Sequence, residues 1–115
     1  MWLLTTRGFF SIVSAGERDG QPMVCVRARD HADLESVQQL LDSIGYTAML
    51  QEDKMGKRDY RFRMVVPTVE WCRALECMGE EITYTNFKDA VKRVQGEDRA
   101  DLYAEVWQTL YLLQV

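Results

Sequence analysis

The stretch Pro22-Met23-Val24-Cys25-Val26-Arg27-Ala28-Arg29-Asp30-His31-Ala32-Asp33-Leu34, continued by Glu35 to Gly45, reads as a strand that runs directly into a helix. Val24, Val26 and Ala28 alternate with Cys25, Arg27 and Arg29, the period of two of a strand with one buried face. Asp30 is placed to cap the helix, and Asp33 adds favourable charge near the positive end of its dipole. Leu34, Val37, Leu41 and Ile44 recur at helical spacing, with Leu40 beside them, and Gly45 stands where a helix ends.

The same order recurs on either side. Residues 2–14 read as extended, with Gly8 marking a bulge or bend, and 16–21 as a turn. Tyr46 to Gln51 reads as a short strand, 52–59 as a polar connection, and Tyr60 to Val66 as a strand. Tyr60, Phe62, Met64 and Val66 take its buried face, and Arg61, Arg63 and Val65 the other. Pro67-Thr68 opens a second helix, capped by Thr68, with the stripe Trp71, Leu75, Met78 and Ile82. Strand–strand–helix, twice, is the permuted ββαββα order of a four-stranded, ferredoxin-like α+β sheet. Both helices then lie on one face, and strands 22–29 and 60–66 lie together at the centre.

Beyond residue 84 the sequence turns helical. Thr85-Asn86 caps a short helix with Phe87, Ala90, Val91 and Val94 inward, and Gln95-Gly96 interrupts it. From Glu97 to about Leu113 follows a longer helix whose apolar side needs a partner surface. Leu102, Val106, Leu110 and Leu113 are assigned to the domain side. The expected organisation is one α+β domain over 1–115, with a ββαββα core at 1–84 and a helical extension at 85–115 packed on it.

Composition limits the function. The chain has 115 residues, 14 Lys plus Arg against 18 Asp plus Glu, and a net charge of −4. That balance argues against a protein that coats DNA non-specifically. No apolar run approaches the ~20 residues of a membrane helix, and the N-terminus lacks the pattern of a signal peptide, so a cytoplasmic location is expected. Cys25, Cys72 and Cys77 form neither a disulfide framework nor a zinc pattern. Cys72 and Cys77 point about 140° apart on a helix, and buried, reduced thiols are expected. His31 alone cannot make a metal site and reads as a solvated residue. No phosphate-loop, dinucleotide, nucleophile-elbow or zinc-peptidase motif is present. No catalytic residue, cofactor or metal is therefore assigned, and an enzyme lacks positive evidence.

Two surfaces remain as candidates. The first is the open sheet face, where strand parity gathers Arg27, Arg29, Arg61 and Arg63, with Arg7 as an addition and Lys54, Lys57 and Arg58 beside them. Such a face suits single-stranded nucleic acid or another anionic ligand, but stacking aromatics are the missing half. Asp98, Asp101 and Glu105 of the last helix offer those arginines ion-pair partners, which would make them purely structural. Sheet-to-sheet packing in a homodimer is another bland reading. The second surface is aromatic: Tyr84, Asn86 and Phe87 with the ridge Tyr103, Trp107 and Tyr111, read as a grip on another protein.

Four segments carry a resemblance. They are Met1-Trp2-Leu3-Leu4-Thr5-Thr6-Arg7-Gly8-Phe9-Phe10-Ser11-Ile12-Val13, Asp59-Tyr60-Arg61-Phe62-Arg63, Ile82 to Val91, and Tyr103-Ala104-Glu105-Val106-Trp107. Together they resemble a family of small uncharacterised bacterial proteins of about this length. The resemblance covers nearly the whole chain and implies a stand-alone protein, but it brings no catalytic residue with it. The expectation is a non-enzymatic binding or regulatory protein acting through protein–protein contact, as a homodimer or on another partner. A phage or mobile-element origin fits such a role. The alternatives are nucleic-acid or anion binding at the arginine face, and a small-molecule enzyme or binder with a pocket between sheet and extension.

Overall fold

The structure, a computed structural model, describes residues 1–114. It is an α+β fold with one antiparallel sheet of five strands in the order β1-β2-β3-β5-β4. The strands are β1 (Trp2–Thr5), β2 (Gly8–Arg18), β3 (Gln21–Ala28), β4 (Gln51–Glu52) and β5 (Phe62–Pro67). The helices are α1 (His31–Ser43), α2 (Thr68–Glu80), α3 (Phe87–Gln95) and α4 (Glu97–Leu110), followed by a 3-10 helix, Tyr111–Gln114.

The sheet has five strands, not four, because residues 2–14 do not form one extended segment. They fold back at Thr5–Gly8, where the Thr5 hydroxyl accepts hydrogen bonds from the Arg7 and Gly8 amides at 3.0 and 3.2 Å. A side-chain oxygen that satisfies two successive amides makes a turn there cheaper than continued pairing. At the other edge, residues 46–50 are irregular, and only Gln51–Glu52 pairs with β5. The two strands that lead into helices, β3 and β5, pair side by side, with Val26 opposite Met64 and Ala28 opposite Phe62. From β3, α1 carries the chain to β4, which joins the sheet on the far side of β5 and runs parallel to β3.

The main core lies between the sheet and the helix pair α1–α2. Phe10, Val26, Ala28, Leu34, Val37, Leu41, Met64, Val66 and Trp71 are all buried in it. At about 1.5–3 kcal/mol for each large apolar side chain, this layer dominates the stability. Asp30 caps α1 as expected, its carboxylate accepting from the Ala32 amide at 2.8 Å, and Gly45 follows the helix with φ +96°. The cap of α2 is different: the position is Pro67, and no side chain caps the helix. Ile82 is exposed because α2 ends at Glu80, and Val94 faces outward at the end of α3. Asn86 does cap α3, accepting from the Asp89 amide at 2.9 Å.

The extension packs as a helical hairpin that buries only its first part. Val91, Ala100 and Tyr103 form a second cluster with Leu4, Phe9 and Phe87. Beyond Val106 the helix leaves the body of the protein. The radius of gyration is 15.0 Å, against about 13 Å for a compact chain of this length.

Candidate functional site

The face of the sheet away from α1 and α2 carries the residues that alternate with the core. Phe10 and Ile12 point into the main core, so their neighbour Phe9 points to the other side. Between this face and α4 runs a groove of about 490 Å³. Its sheet wall is Trp2, Leu4, Phe9 and Tyr60, and its helix wall Leu102, Tyr103 and Val106. Arg29, Asp30, Asp33 and Arg99 supply its charged lining. A concave, mostly apolar site with a few convergent polar groups is the usual form of a binding site.

One ion-pair network holds the helix wall in place. Arg99 of α4 donates to Asp33 at 2.7 Å, to Asp30 at 3.0 Å and to the Tyr103 hydroxyl at 3.3 Å. Asp33 also accepts from the Phe9 amide at 3.0 Å, so one buried carboxylate joins α1, β2 and α4. Burial alone would lower the pKa of Arg99, but its hydrogen bonds to Asp33 and Tyr103 outweigh that effect and raise it. The guanidinium stays charged throughout the working range. Tyr103 is pushed up by burial, against the opposing hydrogen bond from Arg99.

The sequence placed acids of α4 against arginines of the sheet. The structure shows the reverse polarity: an arginine of α4 against acids of α1. Asp98, Asp101 and Glu105 make no ion pair with the sheet arginines among the described residues. Asp33, read as a dipole contribution, is a buried structural partner. Arg99 and Trp2 were missed altogether. The available signal for Arg99 was that it stands as a lone base among Glu97, Asp98 and Asp101.

The arginine cluster is partly assembled. Arg27 lies opposite Arg63 across the β3–β5 pair. The Arg27 and Arg29 guanidiniums each sit 4.7 Å from the centre of the Tyr60 ring. Tyr60 is buried, but not among the helix-side core. It precedes the first residue of β5, so strand parity does not extend to it, and it packs against Phe9 at 6.3 Å between ring centres. Arg61 is drawn off by Glu52 at 3.3 Å. Arg7 does not join the cluster: it pairs with Glu81 at 2.7 Å and donates to the Ser36 carbonyl at 2.9 Å, tying the β1–β2 turn to α1 and the end of α2. Arg58 lies in the 53–58 loop, with its amide held by the Asp53 carboxylate at 2.8 Å, and Lys57 is exposed beside it. Any burial of Asp53 would raise its pKa, but the amides of Arg58, Met55 and Lys57 lower it on balance.

The aromatic candidates divide by role. Phe87 stacks on Tyr103 with ring centres 6.0 Å apart and planes 5° from parallel, and Tyr84 packs on Phe87 at 5.9 Å. Tyr103 is buried and Asn86 is a cap, so these residues build the hairpin. Trp107 is 64% exposed and touches Tyr111 at 5.8 Å between ring centres. Of the residues assigned to the domain side of α4, only Leu102 and Val106 line the groove, while Leu110 and Leu113 stand in solvent. The cysteines also differ from expectation: Cys25 is buried, but Cys72 is exposed and Cys77 half-buried on the outer side of α2. His31 sits at the surface, 3.4 Å from Glu35. Among the described residues no group of three or more His, Cys, Asp or Glu is placed to hold a metal ion, and no helix is long and apolar enough to cross a membrane.

Tyr103→Phe isolates one part of the network. The ring stack on Phe87 is kept, and the acceptor for Arg99 is lost. A loss of about 1 kcal/mol is expected in urea denaturation. A pH series adds a sign. Tyr103 binds its proton more tightly in the folded state, so its stabilising effect is full below the ordinary tyrosine value of about 10 and fades as pH rises above it. The Phe variant should show a shallower alkaline decline than the wild type.

Comparison by sequence and by fold finds no matching family model, curated protein or solved structure.

Proposed function

We propose that the chain works as a protein-binding module and that the apolar surface of α4 and its groove is the contact. One observation carries this reading. From Leu102 to Leu113 the helix presents Leu102, Trp107, Leu110, Tyr111, Leu112 and Leu113 to solvent, each more than half exposed. So many large apolar side chains exposed on one short segment are rare on a soluble monomer outside interaction sites. Trp and Tyr are the side chains that most often anchor such contacts.

The test is affinity capture from native lysate with nuclease and high salt, comparing wild type with Trp107→Asp and Leu110→Asp. Loss of the bound protein in both variants, with unchanged circular dichroism, is the expected result. Each substitution should weaken binding by about 2 kcal/mol or more. Bound protein that is retained by both variants would rule out α4 as the contact.

A second reading, anion or single-stranded nucleic-acid binding, draws on the arginines. Arg27, Arg29 and Arg63 have no carboxylate partner among the described residues, and Arg27 faces Arg63, an unfavourable pairing of like charges. Trp2, an exposed ring, lines the same groove as Arg29. Arg27→Gln with Arg29→Gln should then abolish a salt-sensitive interaction that the α4 variants keep.

A further inference from the structure

We infer that the occupant of this surface is a second copy of the same chain, joined by an antiparallel pairing of α4 with its counterpart about a two-fold axis at Val106. This rests on the protein-binding reading above and names the partner.

The first argument is area. Trp2, Leu102, Trp107, Leu110, Tyr111 and Leu113 are each more than half exposed, with Leu113 at 83%. With an aromatic side chain offering 150–250 Å², the set presents on the order of 800 Å². That is about what each partner contributes to a standard-sized stable interface.

The second argument is charge. The first half of α4 carries Glu97, Asp98, Asp101 and Glu105, with its one base, Arg99, already paired to Asp30 and Asp33, whereas residues 106–114 carry no charge at all. An antiparallel pair centred on Val106 places each acid-bearing half beside the partner's uncharged half, so like charges never meet across it. Leu102 and Leu110 are each four residues from Val106, so Leu102 meets the partner's Leu110 on both sides of the axis.

The third argument is self-complementarity. A two-fold contact needs a surface that holds both the projection and its receptor. Here the groove at Leu102 and Val106 lies on α4, and the projecting segment Trp107–Leu113 is the end of α4 with the 3-10 helix that directly follows it, so a single contact fills both grooves. The apolar sheet wall of Trp2 and Phe9 continues the receptor beyond the helix.

Sedimentation equilibrium on the intact chain tests this, together with a crosslink. Wild type is expected at twice the chain mass, and Leu110→Glu at the chain mass with unchanged circular dichroism, its dissociation constant raised about tenfold or more. In a Cys72→Ser, Cys77→Ser background, Val106→Cys should oxidise to a covalent dimer across the axis and Gln108→Cys should not. A wild-type monomer at high micromolar concentration overturns the inference. So does a dimer that ignores Leu110→Glu and leaves Val106→Cys uncrosslinked. A monomer that captures a different protein through Trp107 and Leu110 defeats the two-fold pairing and leaves the binding reading standing. A monomer that captures nothing defeats both.

Discussion

Asp33→Ala is expected to lower the unfolding free energy by about 3–5 kcal/mol and to release the α3–α4 hairpin from the sheet. Asp33 is only 5% exposed and accepts from the Phe9 amide at 3.0 Å and from Arg99 at 2.7 Å. Removing the carboxylate leaves a main-chain amide without its acceptor and a guanidinium without its closest counter-charge, both in a confined site. Asp30 does not compensate, because it is a half-exposed partner already engaged with Arg99 and with the α1 cap. Asp30→Ala should therefore cost only about 1 kcal/mol, the ordinary value of a cap and a surface ion pair. Urea midpoints for the two variants decide the matter. Equal losses would mean that the buried pair does not hold the hairpin. A double-mutant cycle of Asp33→Ala with Arg99→Ala should show strong coupling, since the second removal deletes the charge that the first left stranded.

The contrast between these two aspartates shows what a single sequence can and cannot convey. The role of Asp30 is local: a carboxylate before a helix bonds an amide two residues on, and the spacing is visible in the chain. The role of Asp33 depends on Arg99, 66 residues away. No local rule distinguishes it from a carboxylate that merely favours a helix dipole. Arg99 was hidden for the opposite reason, since the acids around it make the segment read as negative. Periodicity served well where burial is one-sided. Val26 and Ala28, Met64 and Val66, and Leu34, Val37 and Leu41 all sit in the main core, where alternation and helical spacing put them.

Periodicity failed where elements end. Tyr60 lies outside β5, so counting in twos gave it the wrong face, and Ile82 lies beyond α2. The candidate site inherits both limits. A space between sheet and extension was conceivable from element order, but its walls come from the chain's second residue, its first hairpin and its last helix. The apolar excess of the last helix was legible in composition, but its exposure was not, since Leu110 and Leu113 were assigned to the domain side and stand in solvent. A helix that apolar needs a partner, and the body of the protein supplies one only as far as Tyr103 and Val106. Two of the sheet arginines, Arg27 and Arg29, for which the acids of α4 were offered as partners, sit over the Tyr60 ring instead.

Among the glycines, only Gly8 lies directly against the Asp33 carboxylate, and it gives the second large effect. Gly8→Ala is expected to cost about 3 kcal/mol or more, measured as the shift in unfolding midpoint. Two causes act together. Gly8 has φ +147°, a conformation that costs a side-chain-bearing residue of order 1–3 kcal/mol. A Cβ at that position would also overlap Asp33 Cγ and lie 2.5 Å from Asp33 Cβ. Neither neighbour can give way easily, because Asp33 Cβ is fixed by α1 and the carboxylate is fixed by Phe9 and Arg99. The strain therefore falls on the turn or on the ion pair, and overpacking of this kind adds about 1–3 kcal/mol. Gly16→Ala and Gly20→Ala separate the causes. Both glycines have φ +76°, and nothing lies within 4 Å of a Cβ at either site. They should show the backbone cost alone, about 1 kcal/mol each. If Gly8→Ala is no worse than these, the close approach to Asp33 is not a constraint. Combining Gly8→Ala with Asp33→Ala should cost less than the sum of the two, since the carboxylate that the new methyl meets is already gone. Recovery should nevertheless be incomplete, because Asp33 Cβ remains in the variant and still crowds the turn.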